Sequence, residues 1–318
     1  MNKPNSVKPA SSLLERASEL FDFGSVFRGN SKPTNALKAD NAIEPPVAAP
    51  AIASKLPDVV VQPSPSQPSS RGSVVREAID REYLAAQNFI LPDAPVTGLS
   101  EEFRIVKRQL LLAARGGRGV APIPLGDRIL VCSAQPNEGK SFCAINLALS
   151  MASEKDNRVL LVDADFAKPS VLKAFGLKNR PGFMDALADN RCDVEQLIIA
   201  TDVDGLSILP AGSHTNQDTE YLAATRTAAV MDQLSNNDPA RIIIFDSSPA
   251  LAVSTASVLA LQVGQIVMVV NADVTRESAL RDALSLLSGC EYIQLLLNRS
   301  KFSPTGRKFG NYYRDAAT

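Results

Sequence analysis

Ala134-Gln135-Pro136-Asn137-Glu138-Gly139-Lys140-Ser141 decides how this chain folds. Before it lies a β-rich run, Arg128-Ile129-Leu130-Val131-Cys132-Ser133, and after it an apolar helical run from Phe142 to Met151. Strand, tight loop ending in Gly-Lys-Ser, then helix is the layout of a phosphate-binding P-loop. Loop amides and a helix N-terminus present several N–H donors and a partial positive charge to a phosphate chain. Lys140 adds a full charge where β- and γ-phosphates would sit, and the Ser141 hydroxyl can ligate Mg²⁺. Ala134 stands where such loops usually have their first glycine.

Outward from the loop, short β-rich runs alternate with helical ones. The expected strands are 128–133, 159–162, 206–209, 242–245, 265–270 and 293–297. They are runs of Val, Ile and Leu with little polar alternation, as in a parallel sheet buried on both faces. The expected fold is therefore α/β, a doubly wound, mostly parallel sheet with the nucleotide at the C-terminal strand ends.

Two further strands run into carboxylates. Val159-Leu160-Leu161-Val162 leads to Asp163-Ala164-Asp165, and Ile242-Ile243-Ile244-Phe245 leads to Asp246-Ser247-Ser248-Pro249. Parallel strands can bring these ends beside the P-loop. There a carboxylate can hold Mg²⁺, directly or through water, or accept a proton from an attacking hydroxyl. A single strand-end Asp capping a turn is common; three on two strands point to a site.

Composition limits the alternatives. The 318 residues suggest one or two domains, and 45% are hydrophobic, enough for a sizeable core. The formal net charge of −1 gives no general case for nucleic acid or an anionic membrane. Cys132, Cys143, Cys192 and Cys290 lack metal-like spacing and read as reduced core residues of a cytosolic protein. The one histidine, His214, leaves a zinc site or a His-based triad without support and reads as a surface loop residue. The longest apolar stretch, 258–270, is too short to span a bilayer, and the N-terminal residues lack a signal-peptide h-region. Any work at a membrane is expected through recruitment.

Composition shifts near residue 100: twelve of the 21 prolines lie before it. Residues 1–100 are expected to be largely disordered, with two amphipathic islands, Ser12–Phe21 and Ser73–Ile90. Each island is either a docking segment for a partner or a local helix lying on the chain's own core. Residues 101–300 form the expected nucleotide-binding domain. Residues 301–318 read as a flexible tail carrying Tyr312 and Tyr313.

The motifs together resemble those of the bacterial tyrosine kinases, P-loop autokinases of exopolysaccharide synthesis and export on a MinD/ParA-like P-loop NTPase fold. Ala134–Ser141 resembles that family's Walker A, Leu160–Ser170 its second acidic motif, and Ile243–Pro249 its Walker B; Leu209-Pro210-Ala211-Gly212 is also similar. The opening Ser12–Ala17, Glu102–Arg108 and Gly264–Val267 resemble the exosortase-associated branch. The resemblance implies ATP and Mg²⁺ as cofactors. Asn137, Glu138, Gly139, Lys140, Ser141 and Phe142 would cradle the nucleotide, with Lys140 on the β/γ-phosphates. Asp163 would act as base or orient the tyrosine hydroxyl. Ser141, Asp165 and Asp246 would position the metal, and Asn298 would meet the adenine edge. Tyr312 and Tyr313 would be the autophosphorylated residues. The implied partners are further copies of the chain and a separate membrane chain-length-determinant activator, with the protein cytoplasmic and drawn to the inner face of the plasma membrane.

Two departures stand out. The family's oligomerisation motif, Glu-x-x-Arg-x-x-Arg, appears as Glu101, Arg104 and Lys107. Spacing of three puts these groups on one helical face, but lysine lacks the bidentate reach of arginine. The tail carries two tyrosines where such kinases have a cluster. A rival reading is a MinD/ParA-like ATPase in which water attacks. That group usually has a second lysine early in the loop, where this chain has Gln135, Pro136 and Asn137. A third reading is a catalytically weak nucleotide-binding scaffold.

Overall fold

The computed structural model describes residues 76–117 and 119–300. The Ser12–Phe21 island and the tail tyrosines Tyr312 and Tyr313 lie outside the described residues.

Seven strands form one sheet: β1 (Arg128–Ser133), β2 (Arg158–Ala164), β3 (Ile199–Ala200), β4 (Leu206–Leu209), β5 (Arg241–Ser247), β6 (Gln265–Asn271) and β7 (Ile293–Asn298). Their order is β3-β4-β2-β5-β1-β6-β7. All neighbours are parallel except the short edge pair β3–β4. The six expected strands are all present. The two-residue β3 was not expected, because it is too short to leave a periodic signal. β2 and β5 run further than expected and take Asp163 and Asp246 into the ladder as partners in register.

The helices are α1 (Arg81–Ala86), α2 (Gly98–Arg115), α3 (Lys140–Ala152), α4 (Val171–Ala174), α5 (Phe183–Ala188), α6 (Asp218–Ala223), α7 (Thr225–Asn236), α8 (Thr255–Ala260) and α9 (Glu277–Leu286). Strand residues alternate between two cores. Leu130, Leu160, Val162, Ile243, Phe245 and Met268 pack in one cluster with residues of α5 to α9. Ile129, Val131, Leu161, Ile244 and Val269 pack in the other with α3 and with Phe103 and Leu110 of α2. Burial on both faces explains why the strands read as unbroken apolar runs.

The second amphipathic island, from Glu77 on, lies on this second core. Leu84 is fully buried there with Ile79. Glu77 bridges Thr201 in parallel fashion, Arg81 pairs with Asp202 at 2.6 Å, and the Ile90 N–H donates to Asn146 Oδ1 at 2.7 Å. The Phe89 and Phe142 rings meet at a 30° tilt, with centroids 5.2 Å apart. The segment is thus a strap over α3. Among the described residues no helix is long and apolar enough to cross a membrane.

Candidate functional site

β1 is buried along its whole length and delivers the loop to the centre of the sheet. The loop turns through two left-handed residues, Asn137 (φ 64°) and Gly139 (φ 98°). Gly139 is favoured by its φ, which is costly for other residues; a Cβ there would also push aside the Asn298 side-chain amide, 2.1 Å away. Gly139 caps α3, so the first amides of that helix face the loop's concavity.

The loop is braced from within and from two neighbouring strand ends. The Gln135 N–H donates to Glu138 Oε2 at 2.9 Å, and the Ser133 hydroxyl donates to the Gln135 carbonyl at 2.8 Å. Glu138 Oε1 accepts from the Thr275 hydroxyl, which lies just beyond β6. Asn298 Nδ2, at the end of β7, donates to the Glu138 carbonyl at 2.9 Å. Glu138, only 3% exposed, is therefore a brace of the loop, with its carboxylate turned inward. Asn298, expected at the adenine edge, has its amide engaged by the loop here, while its Oδ1 accepts from the Arg299 N–H at 2.9 Å.

A cleft of about 310 Å³ opens at the loop, lined by Asn137, Lys140, Ser141, Asp165, Lys168 and Arg299 among others. Lys140 Nζ stands 2.8 Å from Asp165 Oδ2 in a nearly buried ion pair. Asp165 Oδ1 accepts from the Ser248 hydroxyl at 2.9 Å and the Lys168 N–H at 3.3 Å. Three loops, from β1, β2 and β5, thus meet on one carboxylate. Phe142 lines the same cleft at the start of α3.

Asp163 and Asp246 face each other in register on neighbouring strands. Asp163 Oδ2 accepts from the Ser170 and Val171 N–H groups, each at 2.9 Å, and Oδ1 accepts from the Asp165 N–H at 3.3 Å. Burial still pushes its carboxyl up to about 6, because these amides only partly offset the lost hydration. Asp246 is fully buried, and neither carboxylate oxygen has a hydrogen-bond partner. Ser141 lies beside it and favours the charged form without reaching hydrogen-bond geometry. Burial first, and then the Asp163 charge, push Asp246 up to about 7.

A buried carboxylate with both oxygens unpartnered is costly unless a cation completes it. The donor set Ser141, Asp165 and Asp246 therefore fits Mg²⁺. Among the described residues no three His, Cys, Asp or Glu side chains form a ready cage. That also suits Mg²⁺, which keeps waters and takes one or two carboxylates plus phosphate oxygens.

The sequence reading missed Thr275, Ser248, Lys168 and Arg299. Ser248 lies two residues beyond Asp246 and was open to notice; Thr275 carries no local signal. Of the expected oligomer contact, Glu101 and Arg104 pair with each other on α2 and are partly exposed. Lys107 turns inward and is 4% exposed. Its Nζ donates to the Ser150 carbonyl at 2.7 Å and pairs with Glu154 at 3.0 Å. His214 lies in a loop, paired with Asp218 at 2.6 Å.

The model of the AAA domain family matches residues 129–300, more than half of the chain. The chain is 30% identical over 207 residues to a putative tyrosine-protein kinase, EpsB, of Ralstonia solanacearum, a match covering 65% of this chain and 25% of that protein. It therefore spans only about a quarter of EpsB's length. It is 28% identical over 221 residues to the tyrosine-protein kinase YwqD of Bacillus subtilis, covering 68% of this chain and 88% of YwqD. The crystal structure of the chimerical protein CapA2B2 superposes with a TM-score of 0.56 at 25% identity, over 71% of this chain and 94% of that one. The chain belongs to the AAA domain family and is similar to proteins named tyrosine-protein kinases.

Proposed function

We propose that this protein is an ATP-dependent protein-tyrosine autokinase that regulates exopolysaccharide biosynthesis or export. The observation that supports it most is the convergence on one P-loop of three strand-end carboxylates, one of them, Asp246, buried without a partner. Lys140, paired with Asp165 in the free protein, is placed to meet the β- and γ-phosphates. Ser141, Asp165 and Asp246 would hold Mg²⁺, which would neutralise charge on the phosphates. The loop amides and the N-terminus of α3 fix the phosphate chain. Asp163, fixed by three backbone amides, takes the proton of the attacking hydroxyl. Catalysis here is mostly positioning and charge stabilisation.

Tyr312 and Tyr313 of the tail are the acceptors in this reading, placed in a neighbouring copy's site. The contact between copies falls to Glu101 and Arg104, since Lys107 is engaged within its own chain. A separate membrane chain-length-determinant protein recruits the kinase from the cytoplasm to the inner face of the plasma membrane and activates it. The kinase reading is preferred to a water-attacking ATPase because the loop has no second lysine and the similar proteins carry the name tyrosine-protein kinase.

The test is anti-phosphotyrosine blotting of the purified protein with Mg·ATP, with and without the activator's cytoplasmic segment. Phosphotyrosine that requires Mg²⁺ and Lys140 is expected. ATP hydrolysis without any phosphotyrosine would favour the ATPase reading.

A further inference from the structure

The P-loop cleft has two walls. Asn137, Gly139, Lys140 and Ser141 form one, and the turn after β2 forms the other with Asp165, Lys168 and Ser170. Arg299 lines it too, from just beyond β7. In the sheet, β2 and β7 stand on opposite sides of β1, each two strands away. The carboxylates that fit Mg²⁺, Asp165 and Asp246, lie at the ends of β2 and β5. A metal there draws the terminal phosphates toward the β2 side of the cleft, against the wall that holds Ser170.

Ser170 is the half-buried N-cap residue of α4. A serine in that place ordinarily accepts from a backbone N–H of the first turn. Here it makes no such bond. Its hydroxyl oxygen is buried and has no hydrogen-bond partner among the described residues. An idle buried hydroxyl is costly unless a ligand completes it, and alanine would fill nearly the same space without that cost. The backbone of the same residue is fully employed. Its N–H donates to Asp163 Oδ2 at 2.9 Å, and its carbonyl accepts from the Ala174 N–H at 3.1 Å. The hydroxyl is thus carried on a fixed piece of the cleft wall. The charges around that wall are already matched: Lys140 pairs with Asp165, exposed Lys168 adds a second cation, and Asp163 and Asp246 stand buried behind. A hydroxyl can donate to a phosphate oxygen without disturbing that balance.

We infer that Ser170 reads the terminal phosphate: its hydroxyl donates to a γ-phosphate oxygen, so that the turn after β2 distinguishes a nucleoside triphosphate from a diphosphate. The inference rests on the nucleotide-binding part of the proposed function and deepens it. A diphosphate ends short of this wall and leaves the hydroxyl idle, as it is in the free protein. The Ser170 N–H and the neighbouring Val171 N–H both hold Asp163 Oδ2. Contact with the γ-phosphate therefore steadies the residue that sets the Asp163 carboxylate, and the site is completed only when a transferable phosphate is present.

The experiment is isothermal titration calorimetry on the full chain with Mg²⁺ and either ADP or the non-hydrolysable β,γ-imido analogue of ATP. Ser170→Ala should weaken binding of the triphosphate analogue roughly tenfold, the scale of one hydrogen bond to a charged group, and leave the affinity for ADP unchanged. Without ligand, its Tm should equal or slightly exceed that of the natural protein, because an idle buried polar atom has gone. Equal weakening of both nucleotides would mark a structural role and overturn the inference, as would an unaltered affinity for the analogue. A natural protein that binds neither nucleotide would overturn the P-loop reading along with it. Selective loss of the analogue in Ser170→Ala, with no phosphotyrosine formed by the natural protein, would sustain the inference and remove the kinase reading alone.

Discussion

Asp163 and Asp246 are the same residue type, one step beyond the same kind of apolar run, in register on adjacent strands. Yet Asp163 accepts three backbone N–H bonds, while Asp246 accepts none. The difference lies in the path the chain takes beyond each strand. After β2 the chain turns back at once, so the amides of Ser170 and Val171 reach Asp163. After β5 the chain runs on through Ser248 and Pro249, and the Ser248 hydroxyl goes to Asp165 instead. One carboxylate is held by backbone amides; the other is buried with neither oxygen hydrogen-bonded. Burial without compensation is tolerated where function requires it.

The most severe way to break this arrangement is to remove the cation that is present. Lys140→Met should abolish ATP-dependent phosphotyrosine while far-UV circular dichroism stays native. It deletes the charge opposite Asp165 from a cleft open to solvent. Undiminished autophosphorylation of this variant would end the P-loop assignment.

Next come the two carboxylates themselves. Asp163→Asn and Asp246→Asn should each lower turnover by on the order of a hundredfold, or about 3 kcal/mol in the barrier. Their saturation behaviour separates them. Excess Mg²⁺ should partly restore Asp246→Asn and leave Asp163→Asn unimproved. Single-turnover assays across a Mg²⁺ series read this directly, and equal rescue of both would remove the distinction of roles.

Stability should move in opposite directions. In the nucleotide-free protein, Asp246→Asn removes a buried charge that has no partner and should raise Tm by a few degrees, at about 2–4 °C per kcal/mol for a chain of this size. Asp163→Asn places an N–H₂ group among N–H donors and should lower Tm by a similar amount. Differential scanning calorimetry settles the signs. Mg·ATP should then narrow or reverse the advantage of Asp246→Asn, because only the natural carboxylate gains from the ion.

The smallest effect is on pH dependence. The Asp246 carboxyl is raised from the ordinary 3.8 to about 7 in the folded chain. Between those values the native state holds a proton that the unfolded state has lost, so this group's contribution to stability falls as pH rises from about 4 to 7, then levels off. Asp246→Asn cannot titrate. Its advantage over the natural protein should therefore be near zero around pH 4 and grow toward pH 7. Urea denaturation at several pH values without nucleotide tests this; an advantage that shrinks with rising pH would show that Asp246 is stabilised as the anion.

The sequence by itself determined the sheet and the phosphate loop. Apolar runs such as Ile242–Phe245 and Gln265–Val270 have no way to satisfy burial on both faces except inside a parallel sheet. Gly139, Lys140 and Ser141 are contiguous, so strand, loop and helix arise from local chemistry. The strand-end carboxylates were legible for the same reason. What only the tertiary structure decided concerns residues far apart in the chain. Thr275 and Asn298 bracing the loop through Glu138, at separations of 137 and 160 residues, leave no local pattern. The inward turn of Lys107 depends on Ser150 of α3 and Glu154 just beyond it, more than forty residues later. The second island lies on the core because α3 and its neighbours offer Leu84 a buried place, and periodicity alone fixes which face is apolar, not what covers it. The unlike states of Asp163 and Asp246 depend on which amides the folded turns bring within reach, a matter of three-dimensional closure that identical residue types cannot encode.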